Sequence, residues 1–459
     1  MTSAIAPQRL VLASVAVALY ALLCAAIAYR QWRRRQQSAR DALALSAAPA
    51  GVVSWLIAYA SQTGNAEQLA WQTARVLHTA GVPARVVSLL QLLASELSSN
   101  ERALFIVSTY GEGDAPDGAA LFARKIMSAA LSLQHLHYGV LALGDRAYRN
   151  FCGFGRTLDQ WLRAQGAQPL FERIDVDNNH PDALHQWQHH LSHIAGTSDM
   201  PDWQAPAYEP WQLAARALLN PGSSGGPCFH VELEPASGAA LPYWQAGDLV
   251  QVQPPNDPQR PREYSIASIP SDGRVHLLIR QELHGDGSLG VASGWLTDQA
   301  QIGDLIQLRL RPHSSFHLAD NADRPLIFIG NGTGLAGLRS HLKARAAAGH
   351  HRNWLIFGER NVAHDGYYRH ELEAWQQQGV LQRVDLVFSR DQAQREYVQD
   401  RLRTHTTLVR EWIDAGAALY ICGSLEGMAS GVESALTEIV GADGVERLIE
   451  AGRYCRDVY

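Results

Sequence analysis

The stretch WLIAYASQTGNAE, Trp55 to Glu67, reads as a strand, a loop and a helix start in immediate succession. Trp55 to Ala60 is a continuous apolar run of strand length, the pattern of a strand covered on both faces in a parallel sheet. SQTGN then brings hydroxyls and Gly64, and a helical period follows through Leu77. A glycine-containing loop that feeds a helix N-terminus leaves backbone N–H groups aimed at one point, which is how a chain holds a phosphate. The spacing GxxxxGK[ST] is absent, which argues against a nucleotide triphosphatase.

Two later strands end in the same way. ALFIVSTYGEGDAPDGA (Ala103 to Ala119) closes on a Gly-rich loop carrying Tyr110, and GVLALGDRAYRNFCGFG (Gly139 to Gly155) on one carrying Tyr148. Loops at the carboxyl ends of neighbouring parallel strands converge on one crevice, so the hydroxyl loop and both tyrosines are expected together. One phosphate cradle and two aromatic faces suit a flavin mononucleotide, FMN. These three segments resemble the flavin loops of flavodoxins and of the flavodoxin-like domain of diflavin reductases. By position, the resemblance implies that Ser61, Gln62, Thr63, Gly64, Asn65 and Ala66 hold the phosphate and that Tyr110 and Tyr148 flank the ring. Gly111, Gly113, Asn150, Phe151 and Cys152 would shape the rim, and either Asp175 or Asp177 would lie near the ring.

Further along, RPREYSIASIP (Arg260 to Pro270) sets an arginine, an aromatic and a hydroxyl on one short strand and turn. Arg262 offers a forked donor for a pyrophosphate, Tyr264 a flat face for a flavin ring, and Ser265 a hydroxyl at the reactive edge. Around it CFHVELEP, GDLVQVQP, RVHLLIR and DLIQLRL are short strands between turn signals, as in a small antiparallel barrel. GVASGWL (Gly290 to Leu296) is a helix start with Ser293 near its cap, a second anion site. This part resembles the barrel of ferredoxin-NADP reductases, which implies FAD held by Arg262, Tyr264, Ser265 and the run Gly290, Val291, Ala292, Ser293.

The last third returns to strand and helix. PLIFIGNGTGLAGLRSHL (Pro325 to Leu342) places Gly332, Thr333 and Gly334 between a buried strand and a helix. Ser389, Arg390, Arg395 and Tyr397, in VDLVFSRDQAQREYVQD, follow another strand. Two guanidiniums and two hydroxyls suit the 2′-phosphate of NADPH. YICG and the terminal RYCRDVY complete a set of motifs that resembles the diflavin reductases, the flavoprotein of bacterial sulfite reductase in particular. The resemblance implies that Ser265, Cys422 and Asp457 surround the hydride path and that Tyr459 shields the flavin ring. Three departures stand out: only Gly247 to Arg262 lies where that family carries a helical connecting domain, Asn331 and Gly337 stand where prolines are usual, and Ser424 where an aspartate is common.

Composition sets the frame. The chain has 459 residues, 46% of them hydrophobic, and a net charge of −6, enough apolar material for two or three cores and no basic footprint for nucleic acid. Five cysteines show no metal spacing. Leu10 to Tyr29 carries no charge and is followed by Arg30, Arg33, Arg34 and Arg35, so it reads as a transmembrane helix with the remainder cytoplasmic.

The expected protein is an α/β multidomain chain: a membrane anchor and tether over residues 1–51, a flavodoxin-like domain over 52–196 and a linker over 197–227. An antiparallel β-barrel domain for FAD follows over 228–322, and an NADP(H)-binding α/β domain over 323–459. The expected function is an inner-membrane, single-pass diflavin reductase, with the lipid bilayer as one partner and a heme or iron acceptor protein as the other. Electrons would pass from NADPH to FAD to FMN and out. The alternatives are a sulfite reductase flavoprotein, a ferric-chelate reductase and, from another class, a passive tethered electron relay.

Overall fold

A computed structural model describes residues 54–196, 207–236 and 240–459. Three sheets follow one another along the chain. The first comprises β1 (Trp55–Ala60), β2 (Ala84–Ser88), β3 (Arg102–Ser108), β4 (His137–Gly144), β5 (Gln168–Pro169) and β6 (Ile174–Asp177). All pairings are parallel, in the order β2-β1-β3-β4-β5, and β6 continues along β4. Alternate residues of one strand serve opposite faces. Leu56, Phe105 and Val140 meet helices α2 (Asp117–Lys125) and α3 (Gly153–Ala164), whereas Trp55, Ile106 and Leu141 meet α1 (Asn65–Thr79) and α4 (Pro181–Ala195). That two-sided cover is why the strands read as unbroken apolar runs. Sheet order reverses between β1 and β3, so the loops leaving these two strands open one crevice.

The second sheet contains β7 (Glu209–Leu218), β8 (Cys228–Pro235), β9 (Leu249–Gln253), β10 (Arg262–Ser265), β11 (Val275–Arg280) and β12 (Leu305–Arg311), antiparallel in the order β10-β9-β12-β7-β8-β11. Ile266, the residue after β10, bridges Leu277 of β11 and closes the sheet into a barrel around Trp211, Leu233, Val250 and Leu308. Strand β7 lies inside the stretch expected as a linker. Trp211 and Leu213 alternate inward, but a bulge between Leu213 and Ala215 and the Pro/Gly-rich flanks break the period that would have announced the strand.

The third sheet comprises β13 (Leu326–Asn331), β14 (Asn353–Glu359), β15 (Arg383–Phe388), β16 (Ala418–Gly423) and β17 (Tyr454–Val458), all parallel, in the order β15-β14-β13-β16-β17. Its reversal falls between β13 and β16. There helix α5 (Leu335–Ala348) leaves a close turn in which a Cβ on Gly334 would lie 2.0 Å from the Cys422 carbonyl oxygen, so only glycine fits.

The expected membrane architecture is corrected. Leu10 to Tyr29 lies outside the described residues, and no described helix is long and apolar enough to cross a membrane. The α1 and α4 helices have 15 residues each, about 22 Å at 1.5 Å per residue, against a hydrocarbon core of about 30 Å. The described residues form three domains. The inner-membrane localisation and the lipid-bilayer partner rested on that helix and fall with it.

Helix α3 packs closely on β4 at Gly155. An added Cβ on Gly155 would stand 2.3 Å from Cβ of Ala142. Helix propensity favours alanine over glycine by about 1 kcal/mol, but forced overpacking costs about 1–3 kcal/mol. Gly155→Ala is therefore expected to lower the urea midpoint of this domain; an unchanged or raised midpoint would show that α3 can shift.

Candidate active site

Within the first crevice, Gly64 adopts φ 83° at the N-cap of α1 with no side-chain cap, so the helix start stays open. Ser61 Oγ accepts the Ala66 N–H at 3.2 Å, and Asn65 Nδ2 donates to Asn179 Oδ1 at 2.6 Å. Gln62 is turned aside: its amide exchanges two hydrogen bonds with Asp117, at 3.2 and 3.1 Å. The two ring loops lock together. Gly113, at φ 129°, sits where a Cβ would lie 2.6 Å from Asn150 Cβ, and Asn150 Nδ2 donates to the Glu112 carbonyl at 2.5 Å. Gly111, at φ 50°, belongs to the same turn.

Tyr148 is 50% exposed, whereas the Tyr110 hydroxyl donates to the Val458 carbonyl at 2.9 Å. Phe151 carries the Arg146 guanidinium 5.1 Å above its ring. Cys152 takes a left-handed φ of 54° at the start of α3, with its thiol on the Ala142 carbonyl, and burial pushes that thiol up to about 12. Of the two aspartates, Asp175 is held bidentately by Arg173, while Asp177 accepts the Arg146 N–H at 3.1 Å and so braces the Tyr148 loop.

The second cleft, of about 390 Å³, gathers Arg262, Tyr264 and Ser265 from β10, the run Gly290 to Ser293, Thr333, and the tail residues Asp457 and Tyr459. Ser293 Oγ accepts the Glu282 N–H at 3.1 Å, and Arg262 is half exposed, 3.8 Å from Asp257. Parallel pairing sets Cys422 of β16 beside Asp457 of β17. The Ser265 hydroxyl donates to Asp457 Oδ2 at 2.6 Å, and the Cys422 thiol stands 3.6 Å from the same oxygen. Complete burial, and then the Asp457 charge, hold Cys422 well above the usual thiol range, so it is an S–H donor and no nucleophile. Tyr459 is 58% exposed, with its hydroxyl 2.9 Å from Thr333 Oγ1.

A third cleft, of about 590 Å³, is lined by Gly332, Ser389, Arg390, Tyr397 and Ser424. Gly332 takes φ 55°, and Ser389 Oγ donates to the Glu359 carbonyl at 3.3 Å. Arg395 is exposed and outside this lining. Two partners escaped the sequence reading. Arg280, at the end of β11, faces both the second and third clefts and is ion-paired with Glu359. Arg456 on β17 is ion-paired with Asp117 at the start of α2. Arg280 carries no motif, and Arg456, although within RYCRDVY, has nothing local that marks its distant partner.

The open helix start, the glycine-only turns and the charged third cleft match the groups inferred from sequence: a monophosphate, a flavin dinucleotide and a phosphorylated nicotinamide carrier. Comparison with known proteins agrees. Residues 57–187 match the family model for flavodoxin, and residues 328–434 that for the oxidoreductase NAD-binding domain. The sulfite reductase (NADPH) flavoprotein alpha-component of Vibrio cholerae is 28% identical over 88% of this chain and 87% of its own. That of Bacillus subtilis is 28% identical over 92% and 91%. In both matched domains and in these relatives the chain is similar to the diflavin reductases. It is an oxidoreductase of the NADPH-dependent flavin type. The alignment with the Vibrio relative runs over 538 positions, more than the 459 residues of this chain, so the relative carries segments that this chain lacks.

The buried thiols give a test that needs no cofactor. Cys152, Cys228 and Cys455 are each pushed up to about 12, and Cys422 well above its ordinary value. With Cys24 replaced by serine, the native protein is expected not to react with a thiol reagent at about pH 8, and to react at all four positions once unfolded. Because folded values are raised, the stability they contribute is full below the unfolded thiol value near 9. It is lost as pH climbs toward about 12. A urea midpoint that holds steady through that window would contradict the burial.

Proposed function

We propose that Ser265, Cys422 and Asp457 form the hydride-accepting site, and that electrons run from NADPH through FAD to FMN and out to a one-electron acceptor protein. The observation that carries this reading is the bond from Tyr110 to the Val458 carbonyl, which joins the FMN-loop tyrosine to the tail residue between Asp457 and Tyr459. When bound, the flavins supply the conversion of a two-electron hydride into single electrons. The chain supplies position. On this reading residues 52–196 hold FMN, the barrel of 228–322 together with β7 holds FAD, and 323–459 hold NADPH.

Arg262 and the run Gly290 to Ser293 would take the pyrophosphate, and Ser389 and Arg390, with Tyr397, the 2′-phosphate. Ser265 spends its proton on Asp457 and so presents lone pairs to the cleft. Tyr459 is fixed through its backbone to Gly423 and Leu425, and swinging its exposed ring would break the hydroxyl contact with Thr333 but not the bonds to Asp457. Arg280 neutralises Glu359 at the edge of the phosphate cleft, which would otherwise repel a dianion.

A heme protein is the acceptor class favoured here. The relatives favour a second, finer reading, the flavoprotein component of a sulfite reductase. Ferric-chelate reduction has no feature of its own in the described residues, and a passive relay would leave the Ser389, Arg390 and Tyr397 cleft without use. Mixing the purified chain with a sulfite reductase hemoprotein and NADPH separates these readings. Sulfite-dependent NADPH oxidation supports the finer one, and its absence alongside heme-protein reduction rejects it.

Purified protein is expected to carry FMN and FAD in near-equal amounts, and Tyr148→Ala to lose FMN selectively. Extraction that yields FAD alone would remove the FMN assignment. Arg390→Ala is expected to raise the KM for NADPH about tenfold to a hundredfold and leave that for NADH nearly unchanged, because only NADPH brings the 2′-phosphate. Equal losses with both would reject the role given to Arg390.

A further inference from the structure

His313 lies just past β12, and its ring is completely buried. It stands between the flavodoxin-like loop and the tail. Its Nε2 is 2.9 Å from the Gln62 carbonyl oxygen. A carbonyl oxygen can only accept, so Nε2 carries a proton and the tautomer is settled. The backbone N–H is tied to Asp248 Oδ1 at 3.0 Å, and the ring stacks on Phe316 at 5.7 Å, which together hold its orientation.

The other nitrogen, Nδ1, has no hydrogen-bond partner and lies 4.0 Å from Asp457 Oδ1. That oxygen is the one left over, since Oδ2 takes both Ser265 and Cys422. A neutral ring would therefore turn a lone pair toward a carboxylate oxygen in a site shut off from water. Two electron-rich atoms so placed repel unless a proton lies between them. Burial is the largest influence on the ring and holds it below the usual histidine range; Asp457 and the Gln62 carbonyl work against that, and His317 and Arg311 add to it. The Asp248 carboxylate on the backbone side is engaged by His317 at 2.5 Å.

We propose that His313 is a positioning residue that holds one proton jointly with Asp457 and thereby couples the hydride site to the grip on Gln62. The inference rests on Asp457 belonging to the hydride site as proposed above. With the shared proton in place, Asp457 is drawn toward His313 and its Oδ2 is kept for Ser265, while a charged ring strengthens the bond to Gln62. Losing the proton as pH rises sets the two groups against each other and loosens both contacts. Neighbouring holds act on the same loop: Ser315 Oγ donates to the Gln62 carbonyl at 3.1 Å, and Arg311 Nη2 to the Thr63 carbonyl at 2.5 Å.

The test is single-turnover flavin reduction by NADPH in the full chain loaded with both flavins, followed from about pH 5 to about pH 8, because burial holds the ring below the usual histidine range. The unsubstituted protein is expected to show a rate that falls with rising pH. His313→Asn and His313→Gln, read on protein with parental FMN and FAD content, are expected to lose that leg and to react about tenfold more slowly at the acid end. Combined with Asp457→Asn, either should be no slower than Asp457→Asn alone, because both remove one shared proton.

If the leg survives in both His313 variants while Asp457→Asn abolishes it, the proposal is overturned and the hydride site stands. If Asp457→Asn keeps the parental rate, the hydride-site reading falls and this proposal with it. A measurement free of any variant's folding uses ¹⁵N-histidine in the unsubstituted chain. One buried ring is expected to titrate at Nδ1 with the midpoint of the rate leg; no such titration, or a flat parental profile, overturns the proposal.

Discussion

A buried carboxylate organises the centre of this molecule. Asp457 is almost completely shielded from water, and an ionised carboxylate in that position is costly unless donors surround it. Ser265 comes from the barrel and Cys422 from the third sheet, so satisfying one side chain requires the barrel edge, the β16 end and the tail to meet. The tail is itself a strand, and its pairing with β16 sets Asp457 opposite Cys422 and Val458 opposite Gly423. Displacing β17 by one residue would turn Asp457 away from both donors.

The flavodoxin-like domain docks on the same tail. Arg456 alternates to the face opposite Asp457 and is ion-paired with both Asp117 and Glu433, and Tyr110 bonds to Val458. Consecutive residues 456, 457 and 458 thus serve the domain interface, the contacts with Ser265 and Cys422, and the Tyr110 hydroxyl in turn. An ion pair like Arg456 with Asp117 is weak evidence for stability, because desolvation offsets much of its attraction, but it selects one relative placement over others. On the barrel side the segment after β12 does equivalent work through Arg311, His313 and Ser315, all directed at the Gln62–Thr63 backbone.

This docking bears on the short stretch between β9 and β10, which holds no helical layer in this chain. The two flavin domains here touch through the tail and the β12 loop without an intervening helical layer. Backbone carbonyls and ion pairs make these contacts, and Tyr110 also packs against the apolar cluster of the third domain.

Much of the fold is legible along the chain, because strands covered on two faces and helices covered on one write their periods into sequence. The three Gly-rich loops of the first domain, the arginine–aromatic–serine strand and the glycine turn at Gly332 to Gly334 could be read for the same reason: backbone conformations and phosphate chemistry restrict local residue choice. Strand β7 could not, since its bulge breaks the alternation. The apolar run at Leu10 to Tyr29 was read on length and hydropathy alone, and no described helix shares those properties.

Local sequence could not choose between Asp175 and Asp177, because the choice depends on which carboxylate meets the Arg146 N–H and which is taken by Arg173. Nor could it single out Arg280, Arg456 or His313, whose roles come from residues far away in the chain. Sequence by itself determined the layers and the loops that can hold phosphates, since those follow from nearest-neighbour periodicity and backbone freedom. Tertiary structure alone decided which side chains share one buried charge, because that depends on contacts between segments with nothing local to mark them.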